Sequence, residues 1–201
     1  MQNTKPLSIK LFHALLILSF FSAYFLADDD TLRLHAIFGV GLLFIVLLRI
    51  TIGFSPSKEY SLKQCDLSLD SLKNYAKNYF SYSQGERKNP AASWAMAIIL
   101  ALGVLVPLSG ILTLYLPEAK DVHEFFGEAF LWVVIAHIVG VIADKLFHNS
   151  SLLEGMTTAK CKSKSVFLTT LFVILFLLGG GVGHSLDIDG YEKWHEEKKS
   201  H

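Results

Sequence analysis

The sequence predicts an all-α integral membrane protein: a four-helix bundle joined by a fifth transmembrane helix. Three observations carry this reading. Hydrophobic residues fill 52% of the 201 positions and charged residues only 18%, a balance too apolar for an ordinary soluble domain. Five segments approach the length of about 20 apolar residues that crosses a hydrocarbon core, at 11–27, 34–54, 91–116, 122–147 and 165–186. Cationic residues are sorted between alternate connections instead of being spread evenly. The 18 Lys and Arg balance the 18 Asp and Glu, so no net charge calls for nucleic acid, and lipid is the partner that composition implies.

The first span is short, and snorkelling of Lys10 extends it. Its basic start resembles that of a signal peptide, but no small-x-small cleavage site precedes Asp28, so it is expected to stay attached. The third span contains Pro107, which a membrane helix tolerates with a kink when its neighbours satisfy the freed backbone. The fifth ends in a glycine-rich run whose Gly179 and Gly183 form a GxxxG pattern, a sign of close helix packing. Residues 1–186 therefore read as a single membrane domain, and 187–201, with the run EKWHEEKKSH, as a polar tail.

Orientation follows from the loops. Lys5 and Lys10 precede the first span; Lys58, Lys63, Lys73, Lys77, Arg87 and Lys88 lie in the 55–90 loop; Lys160, Lys162 and Lys164 precede the fifth span. The other two connections carry only Arg33 and Lys120. The positive-inside rule then puts the amino terminus and both basic loops in the cytoplasm, and five crossings leave the tail outside. Cys65 and Cys161 form neither CxxC nor the CxxCH run of covalent haem attachment; in cytoplasmic loops both are expected to be reduced.

Histidine within hydrocarbon is costly because its ring nitrogens need partners where water is absent, so by default it marks function. Four histidines, His13, His35, His123 and His137, lie in or at the spans. At about 1.5 Å and 100° per residue, the 14-residue interval from His123 to His137 separates them by roughly 21 Å on nearly one face. They suit two sites at different depths. Depth pairs His35 with His123 on the outer side and His13 with His137 on the inner side. Each pair draws on two helices, an arrangement that admits a flat macrocycle with its iron ligated on both faces. A zinc site normally needs three or four converging protein ligands, which these pairs do not supply.

Gly39 follows His35 by four residues, Gly127 follows His123 by four and Gly140 follows His137 by three. Each falls on its histidine's own face, leaving room for a cofactor. His13 departs from this pattern, with Ile17 at the fourth position. Arg33 on the outer side and Arg49 at the inner end of the second span are the cations expected to meet haem propionates; Arg49 equally satisfies the positive-inside rule. His148, His184, His195 and His201 lie at or beyond span ends. Glu124, beside His123, is placed to influence a haem potential or to serve as an ordinary interfacial acid.

The words LFHALLILSF, LHAIFG, VHEFFGEAF, AHIVGV and HNSSLLEGMTTAK together resemble the prokaryotic cytochrome b-561 family, which includes the b-type cytochrome subunit of nickel-iron hydrogenases. The resemblance covers most of the first four spans. It implies that His13, His35, His123 and His137 ligate two non-covalent b haems in a multi-pass protein of the bacterial inner membrane, with its tail in the periplasm. It further implies respiratory electron transfer between the quinone pool and a periplasmic redox partner, either a c-type cytochrome or a hydrogenase-like subunit. Such a chain is an electron-transfer subunit of an oxidoreductase and not a stand-alone enzyme. Hydrogenase-type members tend to carry Gly-His-Asn-Pro before the third span, whereas Arg87, Lys88, Asn89 and Pro90 here keep only the last two; the fifth span also exceeds the four-helix core. Association with a second copy stays open. Two readings compete: a haem-free membrane anchor or assembly subunit with interhelical histidine hydrogen bonds, and a small metal or proton transporter. The transporter would favour carboxylates at mid-membrane depth, yet Glu124, Glu128 and Asp144 lie toward the ends of the fourth span.

Overall fold

A computed structural model describes residues 7–55, 61–79, 89–148, 163–186 and 188. Six α-helices form among them: α1 (Leu7–Phe25), α2 (Leu32–Gly53), α3 (Leu69–Lys77), α4 (Pro90–Thr113), α5 (Ala119–His148) and α6 (Ser163–His184). All but α3 are long and apolar enough to span a membrane, which makes the chain an integral membrane helical bundle. The polar tail beyond residue 188, His195, His201, Arg87, Lys88 and Cys161 lie outside the described residues. Below, the near face is the end of the bundle where α1 begins, and the far face is the end where α1 gives way to α2.

Tight connections fold the spans back on one another. At the far face Asp28–Asp30 make the α1–α2 turn, and Thr31 Oγ1 donates to the Leu26 carbonyl at 3.0 Å. At the near face the Asn89-Pro90 pair starts α4. The Asn89 side chain accepts from the backbone N–H of Ala91 at 2.9 Å and of Ala92 at 3.4 Å, while Pro90 occupies the first turn, where its missing N–H costs nothing. Asn89 Nδ2 also donates to Tyr75 Oη at 2.9 Å, tying α4 to the short helix α3. That helix is amphipathic: Tyr75 is buried while Lys73 and Lys77 face out.

Apolar side chains gain nothing by leaving lipid for protein, so close backbone approach and interlocking shape hold membrane helices together. The α2–α6 pair shows this most plainly. A Cβ on Gly183 would stand 2.6 Å from the Ala36 carbonyl oxygen, and one on Gly179 2.9 Å from the Val40 oxygen. The GxxxG pattern is therefore the face of α6 that meets α2. Gly103 of α4 similarly admits Val46 of α2. The closely packed pairs of spans are α1 with α2, α2 with α4, α4 with α5, and α6 with both α2 and α1. The backbone of α5 is not closely packed against α1 or α2, and this gap between the first two spans and the fifth element creates the site.

Candidate functional site

Toward the far face, a cavity of about 530 Å³ opens between α1, α2, α4 and α5. His35 of α2 and His123 of α5 both line it, their ring centroids 5.8 Å apart and their planes 88° to each other. His35 Nδ1 lies 2.7 Å from the Ala23 carbonyl oxygen of α1. His123 Nδ1 lies 3.0 Å from the Val106 carbonyl oxygen and 3.2 Å from Ser109 Oγ of α4. A carbonyl only accepts, so in each neutral ring Nδ1 carries the proton and donates, leaving the Nε2 lone pair for another partner. Histidines that ligate metals are oriented in this way by a backbone carbonyl.

A centroid separation of 5.8 Å brings two imidazoles, each with one uncommitted ring nitrogen, to one place in the cavity, a donor set that suits a metal with imidazole preference. The walls fit a large flat cofactor as well. Gly39 and Gly127 both line the cavity, and a Cβ on either meets nothing within 4 Å, so this side of each helix faces open space. Most of the remaining lining is apolar, from Phe20, Val40, Leu42, Val106 and Pro107, and the charged groups Lys120, Glu124 and Glu128 follow one stripe of α5 at four-residue spacing. Cofactor pockets combine apolar walls with a few placed polar groups in this manner.

Near the opposite face, His13 of α1, His137 of α5 and Arg49 of α2 lie in one neighbourhood. His13 Nδ1 is buried without a well-formed hydrogen bond among the described residues, the Ile9 backbone one turn earlier on α1 being in reach. Arg49 is 7% exposed, a burial that a cation tolerates only in company. A Cβ on Gly140 meets nothing within 4 Å. Among the described residues no three His, Cys, Asp or Glu side chains converge on one point, so both assemblies are histidine pairs.

Of the residues singled out from the sequence, the four histidines come together as two pairs on opposite sides of the bundle's middle, and Arg49 joins the near-face pair. Arg33 takes a different place: its Nη1 donates to the His184 carbonyl at 3.0 Å, where a cation complements the carboxyl end of α6. It adjoins Leu32 of the cavity lining and does not line the cavity itself. The His184 side chain is exposed. Sequence reasoning missed Lys120, Ser109 and Gly110. Lys120 stands one helical turn before His123, a spacing that could have flagged it. Gly110 admits the His123 ring, whose Cε1 would lie 3.0 Å from a Cβ there, and a contact between distant helices leaves no local signal. Leu186 and Ile188, just past α6, also line the cavity, which makes the added span part of the site's enclosure.

The family model for prokaryotic cytochrome b561 matches residues 6–159, which takes in α1 to α5 and both histidine pairs. No curated protein and no solved structure matches the chain. With five spans, two facing imidazoles in an apolar cavity and a family match over most of its length, the chain belongs to the prokaryotic cytochrome b561 family and is a multi-pass membrane b-type cytochrome of electron transfer.

Proposed function

We propose that this cytochrome holds two non-covalent b haems, one between His35 and His123 and one between His13 and His137, and relays electrons across the membrane between the quinone pool and a redox partner. In this reading the near face is cytoplasmic and the far face periplasmic, as the loop charges of the sequence indicate. The partner is then a periplasmic c-type cytochrome or hydrogenase-like subunit. The observation that carries the reading is the far-face pair: two rings directed into one cavity, each with Nδ1 committed to a carbonyl and Nε2 left over. When bound, haem would supply a reversible one-electron iron couple, and His35 with His123, and His13 with His137, would hold it for electron transfer and not for substrate binding.

The chain's own residues position and tune. The Ala23 and Val106 carbonyls fix the two ring orientations and raise the basicity of the opposite nitrogens. Lys120, whose exposed pairing with Glu124 at 3.7 Å is weak, offers a cation to a haem propionate, with Arg33 close by. Arg49 offers the corresponding charge at the near face. The interhelical hydrogen bonds of His35 and His123 would also suit a haem-free anchor, but that role does not need the free nitrogens or the cavity between them. Replacing His35 or His123 by Ala should remove one of two haems per chain and leave the other; replacing His13 or His137 should remove the complementary one. Reduced optical spectra and pyridine haemochrome content of each folded variant check this, and comparable loss of both haems from every single variant contradicts the pairing.

A further inference from the structure

The two histidine pairs are separated by a pair of phenylalanines. Phe130 lies seven residues after His123 and seven before His137, about 10 Å from each along α5 and close to the same face. Phe20 lies seven residues after His13 on α1. Phe130 is 0% and Phe20 6% exposed, and their ring centroids are 4.6 Å apart at an interplanar angle of 52°. The α1 and α5 backbones are not closely packed, and these rings bridge the two helices within an apolar cluster that continues through Leu16, Phe12 and Val134. Phe20 also forms part of the far-face cavity wall. Phe130 packs against this wall residue.

We infer that Phe20 and Phe130 form a dry partition between the two cofactor sites, which holds α1 and α5 apart at mid-membrane and prevents water in the far-face cavity from reaching the space between the sites. The inference rests on the two-haem reading above. The physical argument concerns local polarity. The oxidised haem carries the greater positive charge, so a more hydrated surrounding favours it, and burial is one of the levers that set a haem potential. Removing the Phe130 ring takes away the packing behind Phe20 and opens a void next to a cavity whose wall carries Lys120, Glu124 and, two residues before Phe130, Glu128. A void with that polar access takes up water, in contrast to a sealed apolar one. Phe130 is thus a positioning residue: it touches no ligand nitrogen and acts through the medium between the sites.

The test is a redox titration of the purified, haem-loaded protein, followed by visible spectroscopy, for wild type and for Phe130→Leu, Phe130→Val and Phe130→Ala. Wild type is first assayed for haem content; fewer than two haems would refute the two-haem reading itself, and the partition with it. Given two haems, the expected result is a graded shift of the reduction equilibrium toward the oxidised form, largest in alanine at about tenfold, equivalent to about 59 mV for one electron, and under threefold in leucine, which still fills most of the space. A merely structural role would lower haem content or thermal stability without moving the potentials in proportion to the volume removed. An alanine variant that keeps both haems and wild-type potentials overturns the inference. If alanine fails to assemble, the valine variant decides by the same criterion, and a leucine shift as large as that of the smaller side chains also overturns it.

Discussion

His123 meets several constraints at once: its Nδ1–H is held by the Val106 carbonyl and Ser109, its ring needs the space left by Gly110, and its face is shared with Gly127. Gly39 and Gly127 have no packing reason to be glycine in the structure itself, since a Cβ on either meets nothing within 4 Å. Room for a cofactor supplies the reason. Gly127→Leu should therefore leave the helical fold and its thermal unfolding in detergent nearly unchanged while cutting far-face haem occupancy at least fivefold. A leucine variant with full haem content would show that this wall is not a haem surface. The histidines and these glycines were legible in the sequence because membrane histidine is rare and because helical spacing puts i and i+4 on one face. The hydrogen-bond partners were not, because Ala23, Val106 and Ser109 act through backbone carbonyls or a common hydroxyl from other helices. Arg33 illustrates the same limit: its charge and its place at the start of the second span were readable, but the His184 carbonyl that it meets lies 151 residues away.

At the scale of elements, the five spans followed from hydropathy, and the Gly179/Gly183 spacing indicated a packing face. The partner of that face could not be read, since any helix with small residues would serve; the structure assigns it to Ala36–Gly41 of α2. Gly183→Leu should destabilise the protein by about 1–3 kcal/mol, the usual cost of overpacking, seen as a lower unfolding temperature in detergent. Gly181→Leu, whose Cβ meets nothing within 4 Å, should stay close to wild type, and equal effects from the two variants would contradict the α2–α6 packing. The short helix α3 went unread within the 55–90 loop, although its signals were present. Ser68 accepts from the Ser71 N–H at 3.4 Å as an N-cap, and Leu69, Leu72 and Tyr75 recur at helical spacing. Its nine residues of alternating character are too short and too polar to cross a membrane.

Across the whole molecule, the arrangement is asymmetric about α5, which packs closely on α4 alone among the spans and faces α1 and α2 across the site. The added span α6 packs on α2 and α1, and the residues after it, Leu186 and Ile188, line the far-face cavity, the latter only 3% exposed. The two faces also differ in charge, with Asp28, Asp29 and Asp30 at the far turn and Lys73 and Lys77 on α3 at the near face. In a variant freed of Cys65 and Cys161, a membrane-impermeant maleimide added to intact spheroplasts should label Asp29→Cys and leave Lys73→Cys unlabelled until the membrane is opened; the reverse pattern would invert the proposed orientation. The central claim is that the two histidine pairs each hold a haem, and it is tested most directly by pyridine haemochrome quantitation of the detergent-purified protein, expressed with ample haem supply. Two non-covalent b haems per chain with low-spin reduced bands are expected; one haem or none in folded protein would contradict the account.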